Sequence, residues 1–202
     1  MMLIARIAEK KNVNHLMVEA AKSASYKHNL LVDYNYPRPF AIPPKTIEPA
    51  LAYAIIRQES VFETSAISSA NAHGLMQIIP PTASETAKAV GIRYSRAKLT
   101  RDWKYNVTLG TKYMRNLIND FDGSYILAIA SYNAGPHNVA KWLEQNGDPR
   151  EMRSFNSIIN WIESIPFHET RNYVQRVLEN LQIYRHVMNE EQKLEIIKDL
   201  KR

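Results

Sequence analysis

Residues 54–60 read AIIRQES, an apolar run that ends on a carboxylate. Counting back from Glu59, Ile56 and Ile55 stand one turn away and Ala52 stands two, the spacings that share one face of an α-helix. The pattern predicts a helix that starts around Thr46 to Pro49, with proline in its first turn, and runs to about Ser60. Glu59 then ends the stripe that faces the core, a costly place for a charge. Burial and the negative end of the helix dipole both favour the protonated carboxyl. A carboxyl with a raised pKa is a candidate general acid near neutral pH. The plainer alternative is that Glu59 pairs with Arg57 or another base, or emerges into solvent as the helix ends.

The rest of the 202-residue chain supports a helical protein: 45% of residues are hydrophobic, and only six are glycine. Residues 1–32 read as a stub of two short helices, with Ile4, Ile7 and Ala8 marking one face and Leu16, Ala20 and Ala24 the next. Residues 33–46 are rich in proline and read as an extended linker. Residues 47–188 read as the main domain. Thr82 with Glu85 forms a capping-box pattern for a helix that Gly91 stops. A helix over about 103–121 follows, with Val107, Gly110, Met114, Leu117, Ile118 and Phe121 on one face. Gly123 ends it, Ser124 caps the next, and Gly135-Pro136 breaks that one before a short helix with Val139, Trp142 and Leu143. Val174, Val177, Leu178, Leu181 and Arg185 mark a long helix over about 169–188. The charged tail, 189–202, reads as a loosely held helix. There is no alternating strand pattern and no internal repeat, so the fold class is all-α.

The absence of cysteine excludes disulfides, cysteine nucleophiles and thiolate metal sites. The six histidines form no HExxH pair, so no metal and no cofactor is expected. There is no GxSxG elbow and no phosphate-cradling glycine loop. The net charge of +6 suits an anionic polymer, but the cations are scattered, and no helix-turn-helix or aromatic-basic pattern points to nucleic acid. No run is long enough for a transmembrane helix, and MMLIARIAEKK has neither an uninterrupted apolar core nor a small-residue cleavage site.

Three segments carry more: RQESVFETSAISSANAHGLMQIIPPTA, then SYNAGPHNVAKW, then WIESIPFHETRNYVQRVL. In that order they resemble the catalytic domain of the soluble lytic transglycosylases, bacterial enzymes that cleave peptidoglycan. The resemblance runs from about residue 36 to about 188. It implies a lysozyme-like fold of the goose-lysozyme type, with a sugar-binding groove. By this resemblance Glu59 is the single catalytic acid/base. Ser68, Gly74, Leu75, Met76, Gln77, Tyr132, Asn133 and Glu163 are expected substrate contacts. Taken alone, Gly74 also reads as an ordinary loop glycine, Met76 as core filler and Tyr132 as a core tyrosine. Trp103, Trp142 and Trp161 could stack on sugars but also suit a helical core. Departures from the family pattern are Asn71 for the usual glycine, Glu63 for Asn or Asp, Ser131 for alanine and Ile79 for methionine. Asn tolerates a positive φ, so the turn at 71 can survive.

The resemblance implies cleavage of the β-1,4 bond between N-acetylmuramic acid and N-acetylglucosamine, with closure of a 1,6-anhydro ring by the substrate's own C6 hydroxyl. Peptidoglycan strands are the expected partner, the periplasm the expected compartment, and a monomer the expected state. Two alternatives stand beside this: a water-using muramidase of the goose-lysozyme type, and a non-catalytic peptidoglycan-binding or scaffold protein.

Overall fold

A computed structural model describes residues 1–42, 46–189 and 193–202. Residues 43–45 of the expected linker and 190–192 of the expected tail lie outside the described residues. Regular structure among the described residues is helical, α throughout except for a 3-10 turn at Pro149–Glu151, apart from isolated bridges that join His73 to Ile67 and Ile78. The stub comprises α1 (Met2–Lys10) and α2 (Asn14–Ser25), followed by the short α3 (Val32–Asn35). The main body comprises α4 (Pro49–Glu59), α5 (Pro80–Ala89), α6 (Lys98–Arg101), α7 (Trp103–Asp120), α8 (Tyr125–Ala134), α9 (Pro136–Asn146), α10 (Phe155–Glu163) and α11 (His168–Met188), and α12 (Ile196–Leu200) closes the chain.

The core forms around α4, α8 and α11. Every residue of α4 from Ala50 to Ile56 is buried, as is every residue of α8 from Tyr125 to Ser131. A helix that is apolar all round belongs inside a protein, so α4 is more deeply enclosed than a single stripe through Ala52, Ile55 and Ile56 implies. The long helix α11 packs against both and buries Tyr173, Val174, Val177, Leu181 and Tyr184. Trp142 and Trp161 are core residues, and Trp103 packs on Phe40.

Several boundaries follow from local chemistry. Asp102 caps α7 by accepting from the Tyr105 amide at 3.1 Å. The chain reverses at Gly123, whose φ of +94° suits glycine, and Ser124 caps α8. The capping box expected at Thr82 and Glu85 does not form. Pro80 and Pro81 already occupy the first turn of α5, so Thr82 lies inside the helix.

The stub forms its two expected helices, but part of each expected face is exposed, and the linker and the tail are packed more firmly than expected. In the stub, Ala5, Ala8, Met17 and Ala20 form a small core with Tyr34 packed against it, whereas Ile4, Ile7 and Leu16 are exposed. Small side chains at 5, 8 and 20 occupy the contact between α1 and α2. The linker is packed rather than free. Arg57 donates to the Asn35 carbonyl at 2.9 Å and to its side-chain oxygen at 2.6 Å, and lies 4.3 Å from the Tyr36 ring centroid. The Tyr53 hydroxyl donates to the Phe40 carbonyl.

The tail is latched. Asp199 is fully buried and Arg185 is 3% exposed. The Arg185 guanidinium donates to Asp199 at 2.5 and 3.0 Å and to Glu48 at 2.5 and 2.8 Å. Gln182 adds a bond to Asp199 at 2.6 Å, and Leu200 enters the core.

Replacing Arg185 with Met leaves Asp199 buried without its bidentate partner. The expected loss is about 3–5 kcal/mol, measured by urea unfolding. A loss below about 1 kcal/mol, the scale of a surface pair, would show that the latch contributes little.

Candidate active site

The end of α4 sets the site. Glu59 is its last residue, and Ser60 follows as the cap. The Ser60 hydroxyl lies 2.8 Å from the Leu75 carbonyl and 3.2 Å from that of Ile56, so it ties the Gly74–Gln77 strip to the helix end. The chain then turns through Val61 at φ +50° and Phe62 at φ +66°, both in the left-handed region. That conformation is uncommon for a bulky or β-branched residue and costs about 1–3 kcal/mol per position. Burial of the Phe62 ring offsets part of it.

The Gly74–Gln77 strip is held from beneath by Asn106 of α7, which is fully buried. Its amide nitrogen donates to the carbonyls of His73 at 2.9 Å and Leu99 at 3.0 Å, and its oxygen accepts from the Met76 amide at 2.9 Å. Gly74 has φ +73°, and a Cβ there would lie 2.0 Å from the Leu99 carbonyl oxygen. On the other side, Gly110 leaves room for Met76: a Cβ would come within 2.4 Å of its sulfur.

Beside this scaffold runs a cleft of about 890 Å³ lined by Glu59, Ser68, Gln77, Tyr132, Asn133 and Glu169, among others. The Tyr173 hydroxyl of α11 donates to Glu59 Oε1 at 2.5 Å. Glu59 makes no ion pair with Arg57, which is engaged by Asn35, Asn180 and Tyr36. Burial pushes the Glu59 carboxyl up to about 7; the Tyr173 hydrogen bond opposes the rise and the Glu169 charge adds to it. Tyr132 and Tyr173 are held well above the ordinary tyrosine value by burial first and then by the Glu59 charge, so both keep their protons.

Tyr132 donates its hydroxyl to the Met76 carbonyl at 2.7 Å and packs against Tyr113 with ring centroids 5.4 Å apart. Asn133 accepts from the Thr170 hydroxyl at 2.6 Å, which joins α8 to α11 beside the cleft. The Ser68 hydroxyl accepts from the Ala72 amide at 3.1 Å and shapes the cleft-wall turn. Gln77 donates to the carbonyls of Ala66 and Gly74 at 3.2 and 2.8 Å.

The remaining expected contacts are placed elsewhere. Leu75 and Met76 are fully buried, so their side chains fill the core under the cleft and cannot touch a ligand in it. Gly74 shapes the backbone and is not part of the lining. Glu163 lies outside the cleft, at the end of α10, where it accepts from Gln175 at 2.6 Å. Its place as a cleft carboxylate is taken by Glu169, in the first turn of α11.

Asn106 is absent from the sequence reading, and Ser60, Glu169 and Tyr173 enter it only as members of the segments that resemble the family. The signal for Tyr173 is a polar atom in register with Val177 on the buried face of α11. Asn106 gives a similar signal, one turn before Gly110 on α7.

Residues 41–155 match the family described as the transglycosylase SLT domain, and residues 164–193 match the soluble lytic transglycosylase helical domain. The soluble lytic murein transglycosylase of Salmonella typhimurium is 38% identical over 151 residues, which cover 74% of this chain and 22% of that protein. The Escherichia coli K12 protein of the same name is 38% identical over 147 residues, 72% of this chain and 22% of that protein. The chain thus spans about a fifth of the length of these curated relatives. Among solved structures, the 70-kDa soluble lytic transglycosylase of E. coli superposes with a TM-score of 0.78 at 32% identity, covering 92% of this chain and 30% of that one. A complex of the 70-kDa soluble lytic transglycosylase with bulgecin A gives 0.80 at 30% identity, covering 95% and 31%. The fold is the lysozyme-like one of those structures.

The raised Glu59 carboxyl makes a prediction about stability. A carboxyl whose folded pKa lies above its unfolded value binds its proton more tightly when folded. Its stabilisation is complete below the unfolded value of 4.5 and is lost as pH rises through about 7. Glu59→Gln mimics the protonated form and escapes that loss. Thermal melts should show the variant gaining on wild type between pH 5 and pH 8, by up to about 3 kcal/mol. An unchanged difference across that range would place the carboxyl in water.

Proposed function

The chain belongs to the transglycosylase SLT domain family, and on that premise we propose that it is a peptidoglycan lytic transglycosylase with Glu59 as its acid/base. The observation that supports this most directly is the Glu59 carboxyl on the cleft wall, with its pKa near 7 and its orientation fixed by the Tyr173 hydroxyl. Such a group is protonated often enough to act as an acid and is basic enough to act afterwards as a base.

In this reading a glycan strand lies in the cleft with the bond between N-acetylmuramic acid and N-acetylglucosamine at Glu59. Glu59 donates its proton to the bridging oxygen as the bond from the muramic anomeric carbon breaks. The substrate's N-acetyl group stabilises the cationic carbon. Glu59, now a carboxylate, removes the proton from the muramic C6 hydroxyl, whose oxygen closes on the anomeric carbon. No water is consumed, and the proton returns Glu59 to its starting state. The internal nucleophile gains from proximity, so no second carboxylate need activate water. Tyr132 and Asn133 bound the same space and limit how the sugar rings enter it.

The reading puts the working site in the periplasm, with no cofactor required. No helix among the described residues is long and apolar enough to cross a membrane.

Digestion of purified peptidoglycan followed by mass spectrometry tests the reaction. Products that end in the anhydro sugar are expected, one water lighter than those of a hydrolase; reducing ends would assign the chain to the water-using muramidases instead. Glu59→Gln should lower the rate by about 10²–10⁴-fold, and a variant that cleaves as wild type does would favour a scaffold role.

Tyr173→Phe removes the hydrogen bond that lowers the Glu59 pKa. The acid should then hold its proton to higher pH, and the alkaline limb of the pH–rate profile should move up while the maximal rate falls. A limb that moves down, or stays, would refute the assigned role of Tyr173.

A further inference from the structure

Residues 91–104, GIRYSRAKLTRDWK, connect α5 to α7 and carry Arg93, Arg96, Lys98, Arg101 and Lys104 against a single carboxylate, Asp102. Asp102 is engaged as the cap of α7. All five cations are exposed, and among the described residues none lies within ion-pairing distance of a carboxylate. Some arginines elsewhere do find partners: Arg150, Arg171, Arg176 and Arg185 each pair with Asp or Glu. The segment is therefore a basic surface stretch without paired carboxylates.

One member of the stretch, Arg96, is fastened to the turn beside the cleft. Arg96 Nη2 donates to Asn71 Oδ1 at 2.8 Å, and His73 Nε2 meets the same oxygen at 2.9 Å. Asn71 stands at φ +61°, between Ala70 and Ala72, both of which line the cleft. Glycine in its place would have no side-chain oxygen to offer. The neutral amide seats the guanidinium at the cleft lip without spending its charge. A guanidinium carries five N–H donors, and this contact uses one.

We propose that Arg96, supported by its cationic neighbours, forms a subsite for a carboxylate of the peptide stem carried by the glycan strand. The inference rests on the function proposed above and adds the part of the substrate that the sugar chemistry does not use. A strand in the cleft projects its stems past the lip. Those stems end in carboxylates, and a planar guanidinium fork matches a carboxylate in two-point geometry that a lysine cannot reproduce. The charge lies at the lip, away from Glu59, so its role is to bind and orient.

The test compares three forms of one preparation: uncross-linked strands with intact stems, strands stripped of stems by an amidase, and strands whose stem carboxylates have been amidated. Wild type should prefer the intact strands, and raising the salt should shrink that preference. Arg96→Gln should lower the ratio of kcat/KM on intact strands to that on stripped strands by about two- to five-fold, mainly through KM. Amidated strands should already show the lowered ratio with wild type, and Arg96→Lys should fall between. An equal fall on all three substrates would reduce Arg96 to a support for the 68–72 turn and overturn the proposal. An unchanged ratio, or a preference that survives amidation, would overturn it as well. Failure of wild type to cleave any of the three would instead overturn the proposed function.

Discussion

A carboxyl group set at the end of a buried helix, where the cleft opens, is the constraint around which this molecule is arranged. Glu59 is tolerable at its position only if it keeps a proton or gains a donor, and the Tyr173 hydroxyl is that donor. The bond joins the end of α4 to α11 across 114 residues of sequence. It can be made only if the two helices pack along their length, which accounts for the run of buried alanines, leucine and isoleucines before Glu59 and of valines and leucine after Tyr173. The same burial that raises the Glu59 pKa keeps both neighbouring tyrosines neutral.

The second layer is a frame of backbone hydrogen bonds. Ser60, Asn106 and Tyr132 each grip a carbonyl or amide of the 73–76 segment, from the cap of α4, from α7 and from α8 respectively. That explains why the segment needs Gly74 for its turn and Gly110 for clearance. Leu75 and Met76 anchor the strip from below, and Gln77 is the member that reaches the cleft. A motif of consecutive letters thus divides into a core plug and a working surface.

Much of this was legible in the sequence. The helix ending on Glu59, the glycine and serine at 123 and 124 and the Gly135-Pro136 break follow from local chemistry, which a short window contains. The errors share another cause: they concern partners distant in the chain. Nothing near Asp199 shows that Arg185 will bury it, so the tail reads as a loosely held helix. Nothing near Ile4 shows that Ala5, together with the expected Ala8, will face α2 while Ile4 and Ile7 do not. Thr82 and Glu85 satisfy a capping pattern, but two prolines start the helix first. Glu163 and Glu169 lie close in sequence, yet only Glu169, in the first turn of α11, faces the cleft. Tyr173 and Asn106 are polar groups on buried helix faces, recognisable only once their partners are in place.

The Arg185 latch also bears on the order of assembly during synthesis. Glu48 immediately precedes α4, and its ion-pair partner lies 137 residues further on, with the other side of the guanidinium filled by Asp199. A chain emerging from the ribosome exposes Glu59 long before either partner exists. The segment carrying Glu59 is therefore clamped at its head only after Arg185 and Asp199 have been made. Closing so wide a loop has an entropic cost that the earlier helices, packing as they appear, reduce step by step.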